Sequence, residues 1–322
     1  MATIMVTGGA GFIGSHVVDR LLARGDVVVC VDNLNNYYDP KIKLKNISHN
    51  LPNPSFHFHV LDLENKDQVA PLFAKYKIDK ILHLAAKAGV RPSIVDPIGY
   101  KEANVSATVN LLQLANEFGI KNFVCASSSS VYGANNKIPF SENDDTNYPL
   151  SPYAASKKVC EIYGYNYHQT YGLNVTCLRF FTVYGPRNRP DMAIYKFAES
   201  IAEGKEITVF GQGDEVKRDW TFVADIVEGT IRALDLSDKH KFEILNIGNH
   251  NPVPVTYLVS LLEKELGKKA KIRRDSLPQA DVPVTFADTS KIKKLLGWNP
   301  TTPIEEGVKH FAKWFREHKG LK

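Results

Sequence analysis

Short apolar runs alternate along the first half of the chain with longer stretches whose apolar positions recur every three or four residues. The runs at 4–6, 27–31, 56–60, 80–84, 122–126 and 175–179 read as strands. The stretches at 14–23, 68–75, 105–118 and 153–171 read as amphipathic helices. Strands that are apolar throughout are buried on both faces, and strand–helix alternation joins parallel neighbours by crossovers. The expected fold class is therefore α/β, a doubly wound parallel sheet. Beyond residue 180 the pattern loosens, broken by Pro186, Pro190, Gly204, Gly211 and Gly213 and then by a series of prolines from Pro252 to Pro303. Helices are expected at 191–203, 225–236, 255–266 and 304–318, with one late strand at 243–247 rejoining the first sheet. This predicts a first unit over 1–180 and a smaller C-terminal α/β unit over 181–322, partly interleaved with it.

Composition narrows the classes. The chain has 322 residues, 43% apolar and 23% charged, which suits a folded globular protein and excludes a disordered or fibrous one. No run approaches the ~18 apolar residues of a membrane span. No basic flank precedes an apolar stretch at the N-terminus, so neither a cleaved leader nor a membrane partner is expected. Four cysteines without a C-x-x-C pair predict buried reduced thiols and a cytoplasmic location. The formal charge of +5 is dispersed, which argues against nucleic acid and leaves room for a small anionic ligand. His57 and His59 share one face of a strand, but no third ligand accompanies them, so no metal is expected.

The first strand runs into Gly8-Gly9-Ala10-Gly11-Phe12-Ile13-Gly14, and a helix follows. A G-x-x-G-x-x-G turn between strand and helix gives the backbone a tight bend. It also lets the backbone approach a pyrophosphate closely, and the helix N-terminus supplies free N–H groups and positive partial charge to that anion. That is the dinucleotide turn of a Rossmann unit. Asp32, 18 residues past Gly14, ends the second strand with Asn33 beside it. A carboxylate there accepts hydrogen bonds from both ribose hydroxyls and repels a 2′-phosphate, which favours NAD over NADP. Asp62 and Leu63, at the end of the third strand, are placed either to hold the adenine edge or to cap the next helix.

The fifth strand ends in four serines, Ser127 to Ser130, at the sheet edge where α/β folds place ligands. Downstream, Tyr153 and Lys157 lie one turn apart on a helix. A lysine ammonium beside a phenol favours its ionised form, as a general base requires. The Y-x-x-x-K spacing occurs three times, at Tyr37/Lys41, Tyr76/Lys80 and Tyr153/Lys157, but only the last opens a helix after a serine-rich strand end.

The glycine turn, Asp32, the serine cluster and Tyr153/Lys157 together resemble the extended short-chain dehydrogenase/reductases, NAD-dependent enzymes acting mainly on nucleotide sugars. The resemblance covers essentially the whole chain. It includes His83-Leu84-Ala85-Ala86 and Asn104, and implies that Leu84, Ala85, Ala86 and Asn104 join the cofactor site. In that family the catalytic serine lies three residues before Val-Tyr-Gly and 25 before the tyrosine. Both counts select Ser128, with Ser129 a neighbour at the substrate. Relatives that eliminate water or decarboxylate usually carry an acid just after this serine. Here Ser129 and Ser130 follow, which points to epimerisation.

The segment from Arg179 to Met192, with Tyr37-Tyr38-Asp39-Pro40 and Ala88-Gly89-Val90-Arg91, is similar to the UDP-glucuronate 4-epimerases. The resemblance implies interconversion of UDP-glucuronate and UDP-galacturonate through a 4-keto sugar and bound NAD. Tyr153, Lys157 and Ser128 would be catalytic. Arg189 is the first choice for the sugar carboxylate, with Arg187 and Arg91 behind it. Thr182, Met192 and Arg218 would line the substrate site. Relatives carry an Arg or Gln before a Gly-Asp-Val; here the stretch is one residue shorter, and Gln279 is the candidate nucleotide contact. A homodimer through the helices near 100–118 and 153–171 is a further family expectation. The rival readings are a UDP-glucose/UDP-galactose or UDP-N-acetylhexosamine 4-epimerase, and a non-catalytic NAD sensor; sensors tend to lose the tyrosine or lysine that this chain keeps.

Overall fold

The computed structural model describes residues 1–135, 137–211, 214–277 and 282–321. Six parallel strands come from the first half: β1 (Thr3–Thr7), β2 (Val27–Asp32), β3 (Phe56–Val60), β4 (Lys80–His83), β5 (Asn122–Ser128) and β6 (Asn174–Phe180). Then follow β7 (Thr182–Tyr184), β8 (Glu206–Phe210), β9 (Lys217–Phe222) and β10 (Phe242–Ile247). Last come β11 (Pro252–Pro254), β12 (Lys271–Asp275) and β13 (Val284–Thr285). The main sheet has the order β3-β2-β1-β4-β5-β6-β10, parallel throughout. This is the doubly wound sheet the apolar runs predict.

Successive strand residues point to opposite faces. Ile4, Val6, Val28, Cys30, Leu82, Val124 and Leu178 pack on the helices Phe12–Ala23 and Val223–Asp235. Met5, Val29, Val31, Ile81, Phe123, Cys125 and Val175 face the helices Lys66–Tyr76 and Ala107–Glu117. Burial on both sides is why these strands read as unbroken apolar runs.

The connection after β4 is more broken than its pattern suggests. Two short helices, Val90–Val95 and Pro97–Tyr100, lead into a π-turn at Lys101–Ser106 before Ala107–Glu117. The helix Pro152–Tyr171 packs against all four. It begins where it does because Ser151 Oγ accepts the Ala154 N–H at 3.2 Å and Pro152 occupies its first turn.

The strand at 242–247 pairs with β6 and closes the edge of the main sheet. Beside that edge β9 gathers β7, β11 and β13 into a small sheet, and β8 pairs with β12. Among the described residues, no helix is long and apolar enough to cross a membrane.

Candidate active site

One deep cleft of about 1110 Å³ opens at the carboxyl ends of the main strands. It runs from the glycine turn, past β4 and β5, to β8 and β9. In an α/β sheet this is the ligand edge, where the strand order reverses between β1 and β4.

At one end the glycines are fixed by crowding. Gly8 has φ +67, and a Cβ there would meet the Ala85 backbone at 2.7 Å. A Cβ on Gly14 would lie 2.2 Å from the Gly8 carbonyl oxygen. Gly11 precedes the helix Phe12–Ala23, whose first turn has no side-chain cap and no acidic residue. The N-terminal N–H groups and their positive partial charge therefore face the cleft, as a pyrophosphate requires. Phe12, Ile13, Asp32, Asn33, Asp62, Leu63, Leu84, Ala85 and Ala86 line this end. Asp32 is 7% exposed, accepts the Leu34 N–H at 2.9 Å and has Lys43 Nζ 3.7 Å away. Asp62 does not cap the following helix: Asn65 does so, through the Gln68 N–H. Asp62 instead receives the Asn33 side-chain amide at 3.0 Å. The donors and the buried carboxylate fit NAD.

Below this turn His83 is fully enclosed. The Thr108 hydroxyl donates to the Asn104 carbonyl at 2.6 Å, so His83 donates to Thr108 from Nε2, 3.0 Å away. Its Nδ1 then accepts from Thr7 Oγ1 at 2.7 Å. Burial, with the nearby Lys157 charge, pushes the ring down to about 3 and keeps it neutral. The network ties β1, β4 and the helix Ala107–Glu117 together beneath the cleft.

The middle of the cleft carries the serines, Tyr153 and Lys157. Ser128, Ser129 and Ser130 line it, with Ser128 Oγ donating to Ser130 Oγ at 3.1 Å. Lys157 Nζ donates to the Ala126 carbonyl at 2.8 Å. Tyr153 meets the Tyr100 ring edge-on, the centroids 6.1 Å apart. Behind them lies a charge pair. Arg179 Nε and Nη2 each bond Glu161 at 2.8 Å, and Ser127 Oγ donates to the same carboxylate at 2.6 Å. The Arg179 guanidinium faces the Tyr132 ring at 4.8 Å.

Toward the far end Arg91, Thr182, Arg189, Met192 and Arg218 line the cleft. Arg189 holds Asp191 through both nitrogens of one edge, Nε to Oδ1 at 2.9 Å and Nη2 to Oδ2 at 2.6 Å. Burial works against both charges, but this pair outweighs it, raising the arginine and lowering the aspartate below its ordinary range. Arg189 also stacks over Tyr37 at 5.6 Å. Tyr37 donates to Asp191 and Tyr100 donates to the Ala88 carbonyl at 3.1 Å, and burial pushes both phenols up, so at neutral pH they donate rather than act as bases. Arg91 lies over Phe210 of β8 at 4.7 Å, and Arg218 Nη1 donates to the Pro283 carbonyl at 2.9 Å. Beside Arg218 the buried Asp219 accepts the backbone N–H groups of Asn249, His250 and Ala287, which fixes β9 against two loops.

Two sequence candidates among the described residues lie elsewhere. Asn104 is buried behind the cleft wall, where it holds both backbone groups of Lys87 and the Ser156 hydroxyl. Arg187 turns away toward Asp19 on the helix Phe12–Ala23, 2.8 Å distant. Gln279 lies outside the described residues. Conversely, sequence reasoning assigns no role to Asp191, Tyr100 or Glu161. Asp191 stands two residues after Arg189, a short spacing that places a carboxylate within reach of the guanidinium. Tyr100 and Glu161 carry no local signal. Among the described residues, no cluster of metal-binding side chains occurs.

The family model described as GDP-mannose 4,6 dehydratase matches residues 5–311. A UDP-glucuronate 4-epimerase of Thermodesulfobacterium geofontis is 44% identical over 319 residues, covering 99% of this chain and 97% of that protein. UDP-glucuronate 4-epimerase 4 of Arabidopsis thaliana is 42% identical over 329 residues, covering 97% of this chain and 75% of its own length. Among solved structures, a UDP-glucuronic acid 4-epimerase of Bacillus cereus in complex with UDP-glucuronic acid and NAD superposes with a TM-score of 0.92. It is 34% identical, covering 98% of this chain and 99% of that one. A UDP-glucose 4-epimerase of Thermotoga maritima with UDP-glucose gives a TM-score of 0.88 at 32% identity, again over 98% and 99%. With a match this long, the chain belongs to the GDP-mannose 4,6 dehydratase family, within the extended short-chain dehydrogenase/reductases.

Proposed function

We propose that the chain is an NAD-dependent 4-epimerase that interconverts UDP-glucuronate and UDP-galacturonate. The observation that carries the uronate reading is Arg189. Its fork lines the same cleft as Tyr153, with the Tyr37 ring supporting the guanidinium face. A planar guanidinium binds both oxygens of a carboxylate, which a neutral hexose does not offer.

Tyr153 takes the proton of the sugar 4-hydroxyl, and Ser128 hydrogen-bonds the same oxygen and orients it. Lys157, fixed on the Ala126 carbonyl, holds the nicotinamide ribose side of the site and keeps positive charge near the phenol. Bound NAD supplies the acceptor that takes hydrogen from C4 and returns it to the opposite face of the ring. Arg218 holds the nucleotide phosphates while the ring turns. Arg189 keeps the carboxylate of the 4-keto uronate, a β-keto acid, out of the alignment that carbon dioxide loss requires. The family model bears a dehydratase's name, but Ser129 and Ser130 stand where an eliminating enzyme carries an acid.

In this reading residues 1–180 hold the dinucleotide together with the strand at 242–247, and the rest of 181–322 binds the UDP-sugar. Four free buried cysteines suit the cytoplasm. Two copies join through the helices Ala107–Glu117 and Pro152–Tyr171.

The test is a panel of UDP-sugars incubated without added NAD, products resolved by chromatography. UDP-glucuronate should yield UDP-galacturonate, and Tyr153→Phe should lower turnover by roughly 100-fold or more while NAD stays bound. Equal turnover of UDP-glucose, or an active Tyr153→Phe protein, would overturn the proposal.

A further inference from the structure

The pair between Arg189 and Asp191 is open to the cleft, with side-chain exposures of 19% and 28%. Burial offsets much of what a half-buried pair of this kind contributes to stability, yet its geometry is bidentate and is reinforced. Tyr37 donates to Asp191 Oδ2 at 3.4 Å while its ring supports the guanidinium face. The carboxylate grips Nε and Nη2, and Nη1 takes no part. A guanidinium has five N–H donors on two usable edges. Holding one edge fixes the plane and direction of the other.

We infer that Asp191 is a positioning residue for substrate choice. It locks Arg189 by the Nε–Nη2 edge so that the Nη1–Nη2 edge meets the carboxylate of a uronate. The inference rests on the uronate reading and adds to it a residue that touches no substrate. The alternative physical role is the reverse: Asp191 occupies the arginine and must be displaced by the substrate. The two roles move affinity in opposite directions.

Calorimetric dissociation constants of UDP-glucuronate and UDP-glucose, measured on the NAD-loaded protein, decide between them. With Asp191→Asn, affinity for UDP-glucuronate should fall roughly ten- to a hundredfold, and more than affinity for UDP-glucose. Asp191→Ala should shift it in the same direction. In an Arg189→Ala background the Asp191→Asn change should add nothing further, because Asp191 acts through Arg189. Unchanged or tighter binding of UDP-glucuronate by Asp191→Asn overturns the inference, as does a full effect in the Arg189→Ala background. If the unaltered protein converts UDP-glucuronate, those results sink this inference alone. If it neither prefers nor converts the uronate, both fall.

Discussion

At the residue scale, His83 shows how the site is kept rigid. Its two nitrogens are committed in one direction, Nδ1 accepting from Thr7 and Nε2 donating to Thr108. Protonation at Nδ1 would turn an acceptor into a second donor facing a hydroxyl that already serves it. The folded ring titrates near 3, the free ring near 6.5. Below pH 6.5 the unfolded chain therefore binds a proton that the folded one refuses, and stability falls until pH approaches 3. His16, lowered to about 4 by burial, acts in the same direction. Urea unfolding should show stability dropping by a few kcal/mol between pH 7 and pH 4. His83→Gln should flatten that slope without removing it, since His16 remains; identical slopes would contradict the assignment. Local sequence showed His83 as a strand end but not its hydroxyl partners, which come from residues 76 positions before and 25 after it.

At the element scale, the helix that carries Tyr153 and Lys157 is pinned to β6 by Glu161 and Arg179, each about 1% exposed. The same carboxylate holds Ser127, next to Ser128, so one buried charge sets helix against strand end. Removing one partner leaves the other charged and unpaired in the interior. Glu161→Gln should therefore destabilise the fold by about 3–5 kcal/mol. A loss below about 1 kcal/mol in chemical unfolding would mean the pair is relieved by water. What was legible at this scale follows from patterning. Strands β1, β2, β4, β5 and β6 are buried on both faces and read plainly, as do the glycine turn and Tyr153/Lys157, whose chemistry depends on local spacing; the edge strand β3 alternates phenylalanine with half-buried histidine. The strand β12, KIRRD, is exposed along its whole length and carries no apolar alternation. Pro92 and Pro97 hid the short helices between β4 and the π-turn, although both prolines sit in first turns or tolerate them. Arg189 ranks ahead of Arg187 in sequence, but the pattern does not show how far apart the two side chains end up. Only folding brings the distant Asp19 to Arg187, while Asp191 reaches Arg189 across two residues.

At the scale of the whole molecule, apolar side chains crowd the outer surface of the same helical layer. Val95 is 87% exposed, Ile98 73% and Ile162 55%, with Tyr163 beside Ile162. Val105 and Val109, one turn apart, are half-buried on the neighbouring helical segment. A monomer rarely leaves such a group in water, and a face of this kind matches itself across a twofold axis. Light scattering should give a dimer, and Ile162→Asp should shift it toward monomer; a monomeric native protein would refute the interface. The glycine turn, the serines, Tyr153 and Arg189 share one cleft, where in the proposed reaction C4 inverts without net redox change. The most direct measurement uses UDP-glucuronate deuterated at C4, converted in ordinary water and analysed by NMR. UDP-galacturonate should carry deuterium retained at C4; loss of the label to solvent would contradict return of the same hydrogen within the site.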